Sequence, residues 1–423
     1  MTAYTTGQPH PKRHFEFNLE ALRGFAALVV VISHCLGFSK VLNGSERSGL
    51  WTYDLPGHLA VLVFFILSGY VIGLATKVPL TWATAVPYLK KRFIRLYPIY
   101  ITGILLALLI SDKTYSATEI LSNALFLQRV TADPMYEIGV NWSLNYEVLF
   151  YILFIPISVY NINPIHIFFS ALLFGLFFQL ILPIQLLAMY GFGFCFWTVG
   201  LWLAKTDVTS RAHTSRYTLA GLLCVMLSFG SLNFIKEVME YTLHTDTMRG
   251  VQSHYSVLNI MPSDFSYFPL GILLITYFTN KRIKHNKLLM ITILATPLLY
   301  LLLQIYSSTK RPIDIDSRVV AYIFYLIGII LLFIESRSKS YKEKTLPAPM
   351  IKLGSISYGI YLIHFIIIIL IGRIDFINKT NTAFILRTSV AIVSTIVAAY
   401  ILERKLHPLV VKQLRKTPFF NTL

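Results

Sequence analysis

The chain has 423 residues, of which 55% are hydrophobic and only 13% charged, with a mean hydropathy of +0.63. Soluble domains carry about 25% charged residues, so this composition excludes a water-soluble globular fold. A net charge of +17 would suggest a nucleic-acid partner in a soluble protein, but here the charge follows membrane topology and no nucleic acid is implied.

Residues 1–18 are polar and include Lys12, Arg13 and His14. No small-residue cleavage site follows the first apolar run, so Leu19 to Leu36 reads as a retained span and not as a signal peptide. Twelve apolar stretches approach the length of a bilayer-spanning helix: 19–38, 58–76, 96–111, 142–160, 164–183, 185–204, 217–235, 265–280, 288–306, 318–335, 356–373 and 383–402. Lipid offers no partner to an unpaired backbone group, so the expected fold class is all-α. It is a polytopic transmembrane helical bundle of about 10–12 spans.

With a cytoplasmic N-terminus, the N-terminal and inward segments hold about 24 of the 37 Lys and Arg, against about 11 in the outward loops. Both termini are therefore expected in the cytoplasm. The chain divides into an N-terminal segment 1–18, a transmembrane domain 19–403 and a cytoplasmic tail 404–423. The inward segments include Lys77 to Arg95, Lys205 to Arg216, Lys281 to Lys287 and Arg337 to Lys352. Two outward loops, Ser111 to Asn141 and Lys236 to Asp264, exceed a simple connection; they read equally as a lid or acceptor surface and as ordinary loops. The tail is too short to hold a soluble domain, so an active site must be built by the bundle. Cys35, Cys195 and Cys224 lie in apolar stretches without metal-ligand spacing, which suggests neither a disulfide framework nor a metal site.

Ionisable residues inside spans are costly, and each is a functional hypothesis. The first span carries Arg23 and His34. Eleven residues of α-helix turn through about 1100°, which returns His34 to within ~20° of the Arg23 face and ~16 Å further along the axis. Taken singly, His34 reads equally as a satisfied core histidine, and Arg23 as a snorkelling anchor. Ser68 and Gly69 in the second span suit a close helix contact first and a substrate hydroxyl second. The following inward loop contains Arg92 and Arg95. If that segment is helical, they share a face suited to phosphate, or they anchor the chain to the membrane.

The fourth span opens with Trp142 and Ser143, and Glu147 lies one turn on from Ser143. A buried carboxylate there could serve as acid, base or orienter of a histidine. Ser357, Tyr361 and His364 form one stripe of the eleventh span, which suits a polar cavity between helices better than a lipid-facing surface.

In this order the pieces resemble the bacterial membrane acyltransferase family commonly called acyltransferase-3. The likeness rests on Arg23 and His34 with ten residues between them, Phe64-Phe65-x-x-Ser68-Gly69-Tyr70, Arg92-x-x-Arg95 and Trp142-Ser143-Leu144-x-x-Glu147. Ser357-Tyr358-x-x-Tyr361-Leu362-x-His364 and Tyr400-x-x-Glu403-Arg404 complete it. The departures are Lys405, where relatives often have proline, and twelve spans against a usual ten. Either re-entrant pieces are counted among the twelve, or this member has extra spans. No appended hydrolase-like domain is read, so transfer to the acceptor would be completed within the membrane.

The resemblance implies transfer of an acyl group, acetyl most often, from cytoplasmic acetyl-CoA to a carbohydrate hydroxyl such as that of O-antigen or exopolysaccharide. It places the protein in the bacterial inner membrane, with membrane lipids, acyl-CoA and a carbohydrate acceptor as partners. His34, Glu147 and Arg23 are the expected catalytic residues. Arg92, Arg95 and Arg23 would hold the donor, and Ser68, Trp142, Ser143, Tyr361 and His364 would meet substrate; no metal is expected. The alternative from another class is a secondary transporter or flippase of lipid-linked glycans, against which no pair of broken helices recurs in corresponding halves.

Overall fold

The structure is a computed structural model that describes residues 17–45, 47–206, 209–210, 214–243, 260–308, 316–337, 346–374 and 380–420. The N-terminal residues 1–16, residues 244–259 of the second long loop, parts of the segments 205–216 and 337–352, and residues 421–423 lie outside the described residues.

Apolar sequence becomes helix almost throughout. The helices through the first half are α1 Phe17–Gly37, α2 Ser39–Asn43, α3 Gly57–Ala75, α4 Trp82–Ile110, α5 Ala117–Ala124, α6 Ser143–Val159, α7 Pro164–Leu180 and α8 Gln185–Lys205. There follow α9 Arg216–Phe229, α10 Phe234–Thr242, α11 Phe268–Phe278, α12 Asn286–Ser308 and α13 Asp316–Arg337. The chain closes with α14 Ala348–Gly354, α15 Ser357–Gly372, α16 Asn381–Ile401 and α17 His407–Leu414. Two short strands, β1 Thr209–Ser210 and β2 Lys281–Arg282, pair antiparallel.

Each of the twelve expected spans coincides with a helix, but they are not equivalent. Among the described residues, eight helical segments are long and apolar enough to cross a membrane. A ninth appears if α14 and α15, bent by 77° where they meet, count as one. α7 has 17 residues, or about 26 Å of rise against a hydrocarbon core of about 30 Å. The third span is longer than expected. Helix starts at Trp82, so most of the segment Lys77 to Arg95 is helical and carries Arg92 and Arg95 on α4. The loop Ser111 to Asn141 contains α5 and most of the 3-10 helix Tyr136–Trp142.

Glycines set the helix spacing that positions the interior. A Cβ on Gly69 of α3 would lie 1.9 Å from Trp197 O on α8, and one on Gly200 would lie 1.9 Å from Ile66 O. The two backbones are in contact, as small residues permit in membrane helices. Gly24 and Gly354 do the same for α1 and α14: a Cβ on Gly354 would sit 1.9 Å from Glu20 O.

The end of the chain completes earlier helices. Pro98 has no N–H to give the carbonyl four residues back, and His407 Nε2 donates to that carbonyl, Ile94 O, at 2.9 Å. Glu403 Oε1 accepts the Gly359 N–H at 3.0 Å in the first turn of α15, satisfying a donor that the helix itself leaves open.

Candidate active site

Five helices converge on a cavity of about 750 Å³, its mouth included. Arg23 enters from α1, Ser68 from α3, Arg92 and Arg95 from α4, Ser143, Glu147 and Tyr151 from α6, and Ser357, Tyr358 and Tyr361 from α15. Helical periodicity explains the grouping, since residues three or four apart share a face. Arg92 and Arg95 differ by three, Ser143, Glu147 and Tyr151 by four each, and Ser357 and Tyr361 by four.

Three guanidiniums and one carboxylate line this space. Arg23 Nη1 is bonded to Glu20 Oε1 at 2.9 Å, one helical turn back. Glu147 Oε1 accepts the Tyr151 hydroxyl and, at 3.4 Å, Ser68 Oγ. The Arg92 guanidinium lies over two rings, 5.3 Å from the centre of Tyr88 and 5.5 Å from that of Tyr151, while its Nε is buried without a hydrogen-bond acceptor. Aromatic faces hold a planar cation while leaving its edge donors for an anion. The cavity thus suits a phosphate or carboxylate ligand with an apolar portion against Phe64, Phe65, Val71 and Ile72.

His34 lies outside that lining. Its Nδ1 is 2.8 Å from Nε2 of His364, and the two rings stack at 16° with centres 4.9 Å apart. His364 is fully buried and its Nδ1 lies 2.7 Å from Tyr361 O. His34 is half-buried, with Phe38 and Phe365 beside it. Tyr361 belongs to both places: it lines the cavity, and its carbonyl holds His364.

Of the ten residues singled out in the sequence, Arg23, Ser68, Arg92, Arg95, Ser143, Glu147 and Tyr361 line one cavity, whereas His34 and His364 form a separate pair. Among the described residues Glu147 bonds Ser68 and Tyr151, and the side chain bonded to His34 is a second histidine, His364. Trp142 is 4% exposed and packed against His58, Phe65 and Tyr146. Sequence reasoning missed Tyr151, whose signal was a hydroxyl one turn beyond Glu147. It also missed the pair His58 Nε2–Asp264 Oδ2 at 3.0 Å, behind Trp142. No cluster that could hold a metal occurs among the described residues.

Fold and cavity together define a multi-pass helical membrane protein with a cation-lined site inside the bundle. The chain belongs to the family described as Acyltransferase domain, which it matches over residues 16–248 and 240–404. It is similar to "Acyltransferase MdmB" of Streptomyces mycarofaciens, at 28% identity over 148 residues, 32% of this chain and 38% of that protein. It is also similar to "Protein 2 in picA locus" of Rhizobium radiobacter, at 37% identity over 90 residues, 21% of this chain and 41% of that protein. The chain spans about two fifths of the length of these curated relatives. No solved structure matches it.

Proposed function

We propose that the protein is a membrane O-acyltransferase that moves an acyl group, acetyl by preference, from cytoplasmic acetyl-CoA to a hydroxyl of an extracytoplasmic or lipid-linked carbohydrate. O-antigen and exopolysaccharide are acceptors of this kind. The observation that carries the reading is the division of labour along α1. Arg23 lines a cavity with Arg92 and Arg95, and His34, eleven residues on, presents a half-buried imidazole outside that lining. Membership of the acyltransferase family supports the reaction class.

In this reading the CoA phosphates bind Arg92 and Arg95 from the cytoplasm and the thioester extends toward His34, over the ~16 Å that eleven helical residues span. His34 takes the proton of the acceptor hydroxyl as its oxygen attacks the thioester carbonyl. The carbon–sulfur bond breaks, and the CoA thiolate recovers the proton from the imidazolium. Glu147, tied to Tyr151 and Ser68, sits on the donor side of this path. The protein resides in the bacterial inner membrane with both termini cytoplasmic, which puts the arginines on the donor side.

The test is acyl transfer in the membrane fraction. Labelled acetyl-CoA is supplied with and without host cell-surface polysaccharide, to wild type and His34→Ala. Label in polysaccharide only with His34 intact is the expected result. No label in lipid, glycan or protein from folded wild type with several acyl donors would overturn the reading and favour a transporter.

A further inference from the structure

The hydrogen bonds of the histidine pair determine which nitrogen of His34 is free to act. Tyr361 O is a carbonyl and can only accept, so His364 Nδ1, 2.7 Å away, carries a hydrogen. In a neutral imidazole the other nitrogen then holds a lone pair. His364 Nε2 is therefore the acceptor in its 2.8 Å contact with His34 Nδ1, and His34 Nδ1 carries a hydrogen. By the same rule, His34 Nε2 is left with a lone pair, directed away from His364.

The alternative is a cationic His364 that donates from both nitrogens and turns His34 round, removing the lone pair from its outer nitrogen. A fully buried cation needs a counter-charge. Among the described residues no carboxylate is hydrogen-bonded to either ring, and the neighbours are Phe38, Phe365 and Tyr361. The neutral chain of bonds is the one this surrounding supports.

We propose that His364 is a positioning residue: held by the Tyr361 carbonyl, it fixes His34 in the tautomer whose Nε2 can accept a proton from the acceptor hydroxyl. A nucleophile-activating base is ordinarily oriented by a third group, often a carboxylate. Here a second imidazole fills that place, which suits a site deep in a membrane because it orients the base without burying a negative charge. When His34 gains a proton at Nε2, its Nδ1–H still donates to His364, so the pair needs no rearrangement during turnover. The stripe Ser357-Tyr361-His364 thereby has two functions, with Tyr361 and Ser357 lining the cavity and His364 holding the base.

This inference rests on the acyltransferase reading, and the experiment separates the two. The full-length protein in nanodiscs is assayed with acetyl-CoA and host polysaccharide as wild type, His34→Ala, His364→Leu and His364→Gln, each confirmed as folded by its melting transition. Loss of a base's orientation costs about a hundredfold or more in kcat. His364→Leu is expected to lose that much kcat, with donor and acceptor KM within about threefold. His364→Gln, whose Oε1 can accept the His34 Nδ1–H, is expected to recover about tenfold. In parallel, the protein labelled with ¹⁵N-histidine, with His34 assigned by difference from His34→Ala, should give a protonated Nδ1 and an unprotonated Nε2. That readout needs no change at residue 364.

Equal kcat for His364→Leu and His364→Gln, or a loss confined to KM, would overturn the positioning role. A His34 signal protonated at Nε2 would overturn the tautomer. Full activity of His34→Ala would instead remove the catalytic reading beneath both.

Discussion

Ser143 Oγ and Tyr361 Oη lie 2.8 Å apart, and the same Tyr361 hydroxyl is 2.8 Å from Val140 O. The carbonyl takes the single tyrosine proton, so Ser143 is the donor to Tyr361. This bond joins α6 to α15 at a wall of the arginine-lined cavity, with His364 and then His34 behind Tyr361. Tyr361→Phe keeps the ring beside Phe64 but orphans Val140 O and Ser143 Oγ, at about 1–3 kcal/mol. A lower melting temperature and faster release of CoA from acetyl-CoA without acceptor are expected. An unchanged rate of release would mean that this contact does not close the cavity.

Arg95 gives a cleaner measure of the donor side, because it is exposed at the cavity mouth and its loss leaves no hole in the core. A charge-assisted hydrogen bond to phosphate contributes about 1.5–3 kcal/mol, or roughly ten- to a hundredfold in affinity. Arg95→Ala should raise the acetyl-CoA KM by about that factor and leave the acceptor KM unchanged. Steady-state kinetics with each substrate varied in turn decides the matter, and an unaltered donor KM would remove Arg95 from the donor site. Arg92→Ala should do more, since its guanidinium is also packed over Tyr88 and Tyr151.

Much of this was legible in the sequence because it is written in the helical period. Arg23 with His34, Ser143 with Glu147, and Ser357 with Tyr361 and His364 each share a stripe of one helix, and a stripe can be read without knowing its neighbours. What could not be read was which stripes face each other. His34 and His364 are 330 residues apart, and His58 and Asp264 are 206 apart. Nothing in either local segment names the other. The burial of Trp142 could not be read locally either, because it depends on α3, which packs His58 and Phe65 against it. The closing motif carried no visible function alone; in the fold its Glu403 holds the N-terminal turn of α15, on which Tyr361 and His364 stand.

Gly69 tests whether the site depends on the approach of α3 to α8. Any side chain there meets Trp197 O at 1.9 Å, and backbone cannot move aside as a side chain can. Overpacking of this kind costs about 1–3 kcal/mol, and more where helices must part. Gly69→Leu should lower the yield of folded protein and the melting temperature together, while the neighbouring Ser68→Ala should leave both near wild type. Fluorescence-detected size exclusion of detergent extracts gives the comparison, and a normal profile for Gly69→Leu would refute the close contact.

Asp264 supplies the pH dependence. It lies in the turn Pro262–Tyr267 ahead of α11 and is 2% exposed. Burial alone would push its pKa up. His58, Lys236 and the Met261 N–H, bonded to Oδ2 at 2.8 Å, outweigh that and hold it below the ordinary value of 3.8. A carboxylate with a depressed pKa contributes stability that is fully present above its unfolded-state pKa and is lost as pH falls through its folded-state pKa. The window therefore lies below pH 3.8. Breaking a buried pair by removing one partner costs about 3 kcal/mol or more, because the other partner is left uncompensated. Asp264→Asn should consequently melt lower than wild type by a constant margin at neutral and mildly acidic pH. That margin should shrink only once the medium is more acidic than 3.8, where wild type loses the same charge. Melting curves of both proteins across the acidic range measure the margin directly. A margin that vanished well above pH 3.8 would mean that the ionised Asp264 carboxylate does not stabilise this corner.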